Sequence, residues 1–229
     1  MNKCFFITGT DTNIGKTIVS CALLQGANFM GYKAIGYKPI ASGSKETKFG
    51  LRNQDSEYLL KYSTVHLEYQ DINPFTFKEG TSPNIASKIE KKIIDINKIS
   101  QGLEKIKKKA DYIIIEGAGG WYTPISFNQT LSDWVTKEKI EIILVIGIKL
   151  GCINHAILTK KAILNEKLKI VGWIGNHLES THQYTKEYLE TINTFLSPIP
   201  CLGNIPFLKN WKKKSMIEYL YLNKIFSYI

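Results

Sequence analysis

The stretch Gly9-Thr10-Asp11-Thr12-Asn13-Ile14-Gly15-Lys16-Thr17 follows directly on the apolar run Cys4-Phe5-Phe6-Ile7. A strand, a glycine-bounded loop and a Gly-Lys-Thr helix start, in that order, suit a nucleoside triphosphate. Loop N–H groups and the positive helix end take phosphate oxygens. The Lys16 ammonium reaches the β- and γ-phosphates, and the Thr17 hydroxyl can ligate Mg²⁺. Five residues rather than four separate Gly9 from Gly15, so Thr10 stands where the common loop has its first glycine.

Other residues able to do chemistry stand at the ends of apolar runs. Glu116 follows Tyr112-Ile113-Ile114-Ile115 and precedes Gly117-Ala118-Gly119-Gly120. An acid in that place, beside a phosphate loop, coordinates Mg²⁺ or its water shell, and the glycines admit phosphates close to the backbone. Lys38, in Tyr37-Lys38-Pro39-Ile40, projects toward the same place and can stabilise charge on a transferring phosphoryl group. Ser42 and Ser44 follow it. Asp55 is either a second acid within reach of the loop or a helix cap. In Lys149-Leu150-Gly151-Cys152-Ile153-Asn154-His155, a helix start can present free N–H groups to an anion. His155 itself reads as structural; His66, His177 and His182 have no metal-ligand spacing. No Ser/His/Asp set stands out, and phosphoryl transfer needs none.

These positions imply elements that carry them. Strands are expected over residues 3–8, 32–39, 111–115, 142–148 and 170–176. Helices are expected over 15–28 and from 55 to 62. Another starts at Thr81-Ser82-Pro83 with proline at its first position. Further helices are expected over 93–110, after Gly151 and over 181–195. Near-continuous apolar runs such as 142–148 belong to parallel sheets. Strands alternating with helices predict a doubly wound, mostly parallel α/β sheet with helices on both faces, of the P-loop NTPase type. Ligands sit beyond the carboxyl ends of such strands, so the loop, Lys38, Glu116, residues 147–152 and Asn176 should converge.

The chain has 229 residues, 44% hydrophobic and 22% charged, and no linker that would split it, so one domain over 1–229 is expected. No run reaches the ~20 apolar residues of a membrane span, and no signal peptide is legible. The scattered Cys4, Cys21, Cys152 and Cys201 fit a reducing cytoplasm. The net charge of +10 comes from lysines in solvated stretches, with Arg52 the sole arginine. Base-edge readout relies on arginine, so neither nucleic acid nor a membrane is the expected partner.

Several motifs in order are more specific than any one. The loop at 9–17, GYKPIASGS at 36–44, NPFTFKEGTSP at 73–83, EGAGGWYTPIS at 116–126, DWVT at 133–136, GIKLGCINHAILT at 147–159 and LGNIP at 202–206 together resemble dethiobiotin synthetase. The extra loop residue is normal in that family. The resemblance implies an ATP- and Mg²⁺-dependent ligase of biotin synthesis. Such an enzyme closes the ureido ring of dethiobiotin from 7,8-diaminononanoate and CO₂ through a carbamate and a carbamic–phosphoric anhydride. It implies Lys16 and Lys38 as the catalytic cations, and Thr17, Asp55 and Glu116 around Mg²⁺. Asn13, Ile14, Gly15, Ile18 and Gly117 to Gly119 would lie along the nucleotide. Asn176 and His177 would meet the adenine, with Ile205, Pro206 and Phe207 walling its pocket. Thr12 and Ser42 would lie beside the diamine. In a homodimer, Leu150, Gly151, Cys152, Ile153 and Asn154 of the neighbouring subunit would take the substrate carboxylate.

Many relatives carry Glu where this chain has Asn13, and Asp where it has His177; both differences bear on nucleotide affinity and choice. A P-loop ligase that amidates carboxylates would need a glutamine amidotransferase domain, for which the chain has no room. A partitioning or scaffold ATPase would show a second lysine early in the loop. Residues 10–14 hold none, which leaves only the basic stretch 209–229 in its favour.

Overall fold

The computed structural model describes residues 2–180 and 183–226. The first half runs β1 (Lys3–Gly9), α1 (Lys16–Phe29), β2 (Ala34–Tyr37), β3 (Ile40–Ala41), β4 (Lys45–Thr47), β5 (Gly50–Arg52), α2 (Gln54–Tyr62), α3 (Tyr69–Ile72) and β6 (Phe75–Thr76). The second runs α4 (Pro83–Ile89), α5 (Ile96–Lys107), β7 (Tyr112–Glu116), α6 (Leu131–Glu138), β8 (Glu141–Ile148), α7 (Cys152–Asn165), β9 (Ile170–His177), α8 (Thr185–Leu196), β10 (Cys201–Ile205) and α9 (Leu222–Phe226). Six strands form one sheet in the order β10-β9-β8-β1-β7-β2, every neighbouring pair parallel.

Helices pack on both faces, as the unbroken apolar strands require. Side chains alternate along a strand, and residues paired in register share a face. Phe5 pairs with Ile114, which pairs with Gly36, and on that face Gly36 meets Leu24 of α1 and Leu59 of α2. Tyr112 lies on the same face, its ring against Phe226 of α9. Phe6, Ile115 and Tyr37 point the other way, where Trp134 of α6 packs edge-on against Phe6 and the Tyr37 hydroxyl donates to Ile99 of α5. Glu116 pairs with Ile7 and therefore faces α1. No described helix is long and apolar enough to cross a membrane.

The expected helix over 93–110 starts only at Ile96. Lys91 takes a left-handed φ of 50° after α4, and Asp95 caps α5 by accepting from Asn97 N–H. The expected strand over 32–39 is confined to Ala34–Tyr37. Its following loop is no simple coil: β4 and β5 form a hairpin, and β3 pairs in parallel with β6. Asp55 is not a cap, because Asn53 caps α2 and Asp55 stands within its first turn. Thr181, the expected start of the last long helix, and His182 lie outside the described residues; α8 begins at Thr185. Strand β10 and helix α6 coincide with LGNIP and DWVT, which are too short for periodicity to declare an element.

Candidate active site

The loop after β1 is seated by one buried side chain. Ile14 is fully covered, and it fits because two neighbouring glycines lack a Cβ. A Cβ on Gly9 would stand 2.6 Å from Ile14 Cδ1, and one on Gly147 would stand 2.8 Å from Ile14 Cβ. Asn176, at the end of β9, donates from Nδ2 to the Ile14 carbonyl at 2.9 Å. Gly15 closes the loop at φ 93°, where any Cβ would collide with the Asn176 amide. Asp11 accepts from Thr12 N–H at 2.7 Å and pairs with Lys149 at 2.9 Å. The Lys16 ammonium rests on the Asp11 carbonyl at 2.9 Å.

Three further elements bring charge to this loop. Lys38 follows β2 and sets its ammonium 2.6 Å from Glu116 Oε1 and 3.2 Å from Asp55 Oδ2. The Thr17 hydroxyl donates to the same Glu116 oxygen at 2.8 Å. Glu116 is 1% exposed, and its Oε2 has no hydrogen-bond partner among the described residues. Burial raises the Glu116 carboxyl above its ordinary range, against the pull of Lys38 and Thr17. Burial lowers Lys38, but the Glu116 and Asp55 carboxylates outweigh it and hold the ammonium above its usual range. Lys16 is pushed down to about 8 by burial and by the nearby Lys38.

A cavity of about 500 Å³ opens between these groups. Thr12, Asn13, Gly15, Lys16 and Thr17 wall one side, Lys38, Ser42 and Asp55 a second, and Glu116, Gly117, Ala118 and Gly119 a third. Thr17, Asp55 and Glu116 thus meet as a hydroxyl and two carboxylates, the hard oxygen donors that Mg²⁺ prefers. The unpartnered Glu116 Oε2 fits a cation in this place. Beyond the ends of β9 and β10, a second hollow of about 660 Å³ is lined by His177, Asn204, Pro206 and Phe207 among others. There His177 Nε2 and Asn204 Oδ1 are 2.8 Å apart.

Some expected residues stand elsewhere than the motif suggests. Ile14 and Ile205 are both buried, so Ile14 is open to a nucleotide only through its backbone, and Ile205 is not among the residues lining the second hollow. Ile18, half-buried on α1, packs against the hydrophobic core and is not among the cavity's lining residues. Asn176 spends its Nδ2 on the loop. Residues 150–154 are not among the cavity's lining residues: Leu150 projects into solvent, Gly151 turns at φ 90°, and Cys152 opens α7 as a buried residue. The Asp11–Lys149 pair and Gly80, which also lines the cavity, escape a reading of the sequence. No pattern marks them, since each depends on a segment far along the chain.

Known proteins resemble this chain along most of its length. The ATP-dependent dethiobiotin synthetase of Baumannia cicadellinicola subsp. Homalodisca coagulata is 48% identical over 225 residues, 98% of this chain and 100% of that one. The chain belongs to the ATP-dependent dethiobiotin synthetase family. The member from Escherichia coli strain K12 is 48% identical over 208 residues, covering 91% of this chain and 92% of its own. A family model described as an AAA domain matches residues 3–215. Dethiobiotin synthetases are ligases, and this one shares its fold with proteins of other activity. A ParA family ATPase from Chlorobium tepidum superposes with a TM-score of 0.57 at 15% identity, covering 100% of this chain and 95% of that one. The MinD cell division protein of Aquifex aeolicus gives 0.55 at 18%, over 89% and 82% of the two chains. At that identity the likeness shows the P-loop NTPase fold alone.

Proposed function

We propose that this chain, as one P-loop domain, forms the ureido ring of dethiobiotin from 7,8-diaminononanoate, CO₂ and ATP. The observation that carries the reading is the convergence of Lys38, Asp55 and Glu116 on the loop that holds Lys16 and Thr17. A carbamate that attacks a γ-phosphate brings two anions together, and two buried ammonium groups on either side offset that charge.

One amine of the substrate adds to CO₂ and loses a proton, giving a carbamate. Lys38 turns from Glu116 toward that carbamate and the γ-phosphate, while Lys16 leaves the Asp11 carbonyl for the β- and γ-phosphates. The carbamate oxygen then attacks the γ-phosphorus and ADP departs. The second amine attacks the carbamoyl carbon, its proton is lost, and phosphate leaves as the ring closes. Thr12 and Ser42 stand where the diamine end would lie. Thr17, Asp55 and Glu116 would hold Mg²⁺, which supplies charge neutralisation at the phosphates. The adenine would enter the hollow beside His177, Pro206 and Phe207, within reach of Asn176.

The substrate carboxylate is assigned to Leu150–Asn154 of a second copy. Support comes from the start of α7, where the first bond along the helix runs from His155 N–H to the Gly151 carbonyl and leaves the N–H groups of Ile153 and Asn154 ahead of it. The test is an assay of purified protein with diaminononanoate, bicarbonate and Mg-ATP. Dethiobiotin and phosphate should appear in equal amounts and only when all three are supplied. Phosphate release that ignores the diamine would instead favour the partitioning or scaffold ATPase.

A further inference from the structure

Lys38, Ser42 and Asp55 reach the cavity from three separate positions along the chain, and Asp55, its side chain 42% exposed, is not held there by burial. Behind the cavity a continuous set of hydrogen bonds joins them. Asn73 is buried and makes all four bonds its amide can make. Its Nδ2 donates to the carbonyls of Lys38 at 2.7 Å and Phe75 at 3.1 Å. Its Oδ1 accepts from the hydroxyls of Tyr69 and Thr76, each at 2.9 Å. With both ends satisfied, the amide has one orientation.

The set continues through Tyr69, whose hydroxyl accepts the N–H of Asn53 at 2.8 Å. Asn53 Oδ1 accepts the N–H of Asp55 at 3.0 Å and that of Ser56 at 3.4 Å, capping α2. Its Nδ2 donates to the Ser42 carbonyl at 3.1 Å. Lys38 is gripped on its other side as well, donating its N–H to the Ile72 carbonyl at 2.9 Å. The Arg52 guanidinium lies 4.1 Å from the centre of the Tyr69 ring and fixes that ring's plane.

We propose that Asn73, Tyr69 and Asn53 are positioning residues: their relay sets Lys38 against Asp55, carries Ser42 in register with both, and so sets kcat rather than ATP affinity. The buried amide touches no substrate; it acts by holding the backbone of groups that do. The kinetic half of this inference rests on the proposed ligase reaction, and the structural half does not.

The test compares Tyr69→Phe with Tyr37→Phe. The first removes the hydroxyl at the centre of the relay and keeps the ring under Arg52. The second removes a buried hydroxyl bond of 2.9 Å, to the Ile99 carbonyl, outside the relay. Competitive acetylation with acetic anhydride, read by mass spectrometry, reports how firmly each lysine is held. In Tyr69→Phe, Lys38 should label about tenfold faster as it loosens from its carboxylates, with Lys16 unchanged. Its kcat should fall about thirtyfold, with KM for ATP within about threefold, because misplacement by a fraction of an ångström acts on the chemical step. Tyr37→Phe should leave Lys38 labelling and kcat at wild-type values. Unchanged Lys38 labelling or unchanged kcat in Tyr69→Phe overturns the relay, as do equal losses in both variants. Thr76→Val removes the other hydroxyl on Asn73 and should move both readouts the same way, by less; it decides the matter if Tyr69→Phe does not fold. A wild-type protein that forms no dethiobiotin refutes the reaction, and the labelling comparison then judges the relay alone.

Discussion

Lys38 Nζ lies 2.6 Å from Glu116 Oε1, with both side chains buried and the Thr17 hydroxyl on the same oxygen. A buried ion pair is poor evidence for stability, because desolvation offsets most of the attraction. Its place beside the phosphate loop gives it another use. In the proposed reaction the pair would keep a cation and an anion ready for ligands of opposite charge, and each side chain would be released when its ligand arrives.

Lys38→Gln removes the cation nearest the proposed carbamate while leaving the loop intact. We expect kcat for dethiobiotin formation to fall roughly 10²–10³-fold, as for loss of one charge-stabilising group. KM for ATP should stay within about threefold. Steady-state kinetics with ATP varied checks this, and equal changes in both constants would make Lys38 a binding residue only.

Glu116→Ala strands Lys38 in a buried place with only Asp55, 42% exposed, beside it. Removing one partner of a buried pair costs about 3 kcal/mol. The urea midpoint should therefore drop at neutral pH with an unchanged slope, and Lys38→Met, which strands the buried Glu116 carboxylate instead, should cost a comparable amount.

Gly15→Ala places a Cβ against the Asn176 amide at a φ of 93°. The loop must then shift, and its N–H groups no longer point at one centre. ATP binding by calorimetry should weaken at least tenfold, roughly 1.4 kcal/mol or more, while the far-ultraviolet spectrum stays that of the wild type.

Removal of divalent cations with EDTA should stop ATP turnover and leave the melting temperature of the nucleotide-free protein within about one degree. The fold is held by its sheet and helices, and two cations, Lys38 and Lys16, already offset the Glu116 and Asp55 carboxylates. A large loss of stability would mean that the cation is structural.

Burial pushes the Cys4 thiol from 9.0 up to about 11, with Lys107 opposing and Glu104 assisting. The folded state thus favours the protonated thiol. That contribution is complete below pH 9 and is lost as pH rises toward 11. At about 1.4 kcal/mol per unit, it amounts to roughly 2–3 kcal/mol. Cys4→Ala should flatten the alkaline fall in unfolding free energy across that window, measured by urea titration at several pH values.

Much of the site is legible from local pattern. The loop at 9–17, Lys38 after its strand and Glu116 after Ile113-Ile114-Ile115 announce themselves, because a strand, a turn and a helix start impose periodicities within a few residues. The parallel sheet follows from the same apolar runs, and the rule that ligands gather at strand ends brings those residues together on their place in the sequence alone. Other features carry no local signal. The left-handed turn at Lys91 divides a stretch whose apolar spacing looks helical throughout. Asn53 rather than Asp55 caps α2 because Tyr69, sixteen positions on, anchors Asn53 by its N–H. Ile14 looks like a loop residue until Gly9 and Gly147 are found to leave it a socket, and Asn73 looks like a turn residue until its amide is found on Lys38. Residue types and near-neighbour spacing determined which chemistry is present. Tertiary structure decided which groups hold it in place, since that depends on contacts between segments whose separation along the chain no periodicity records.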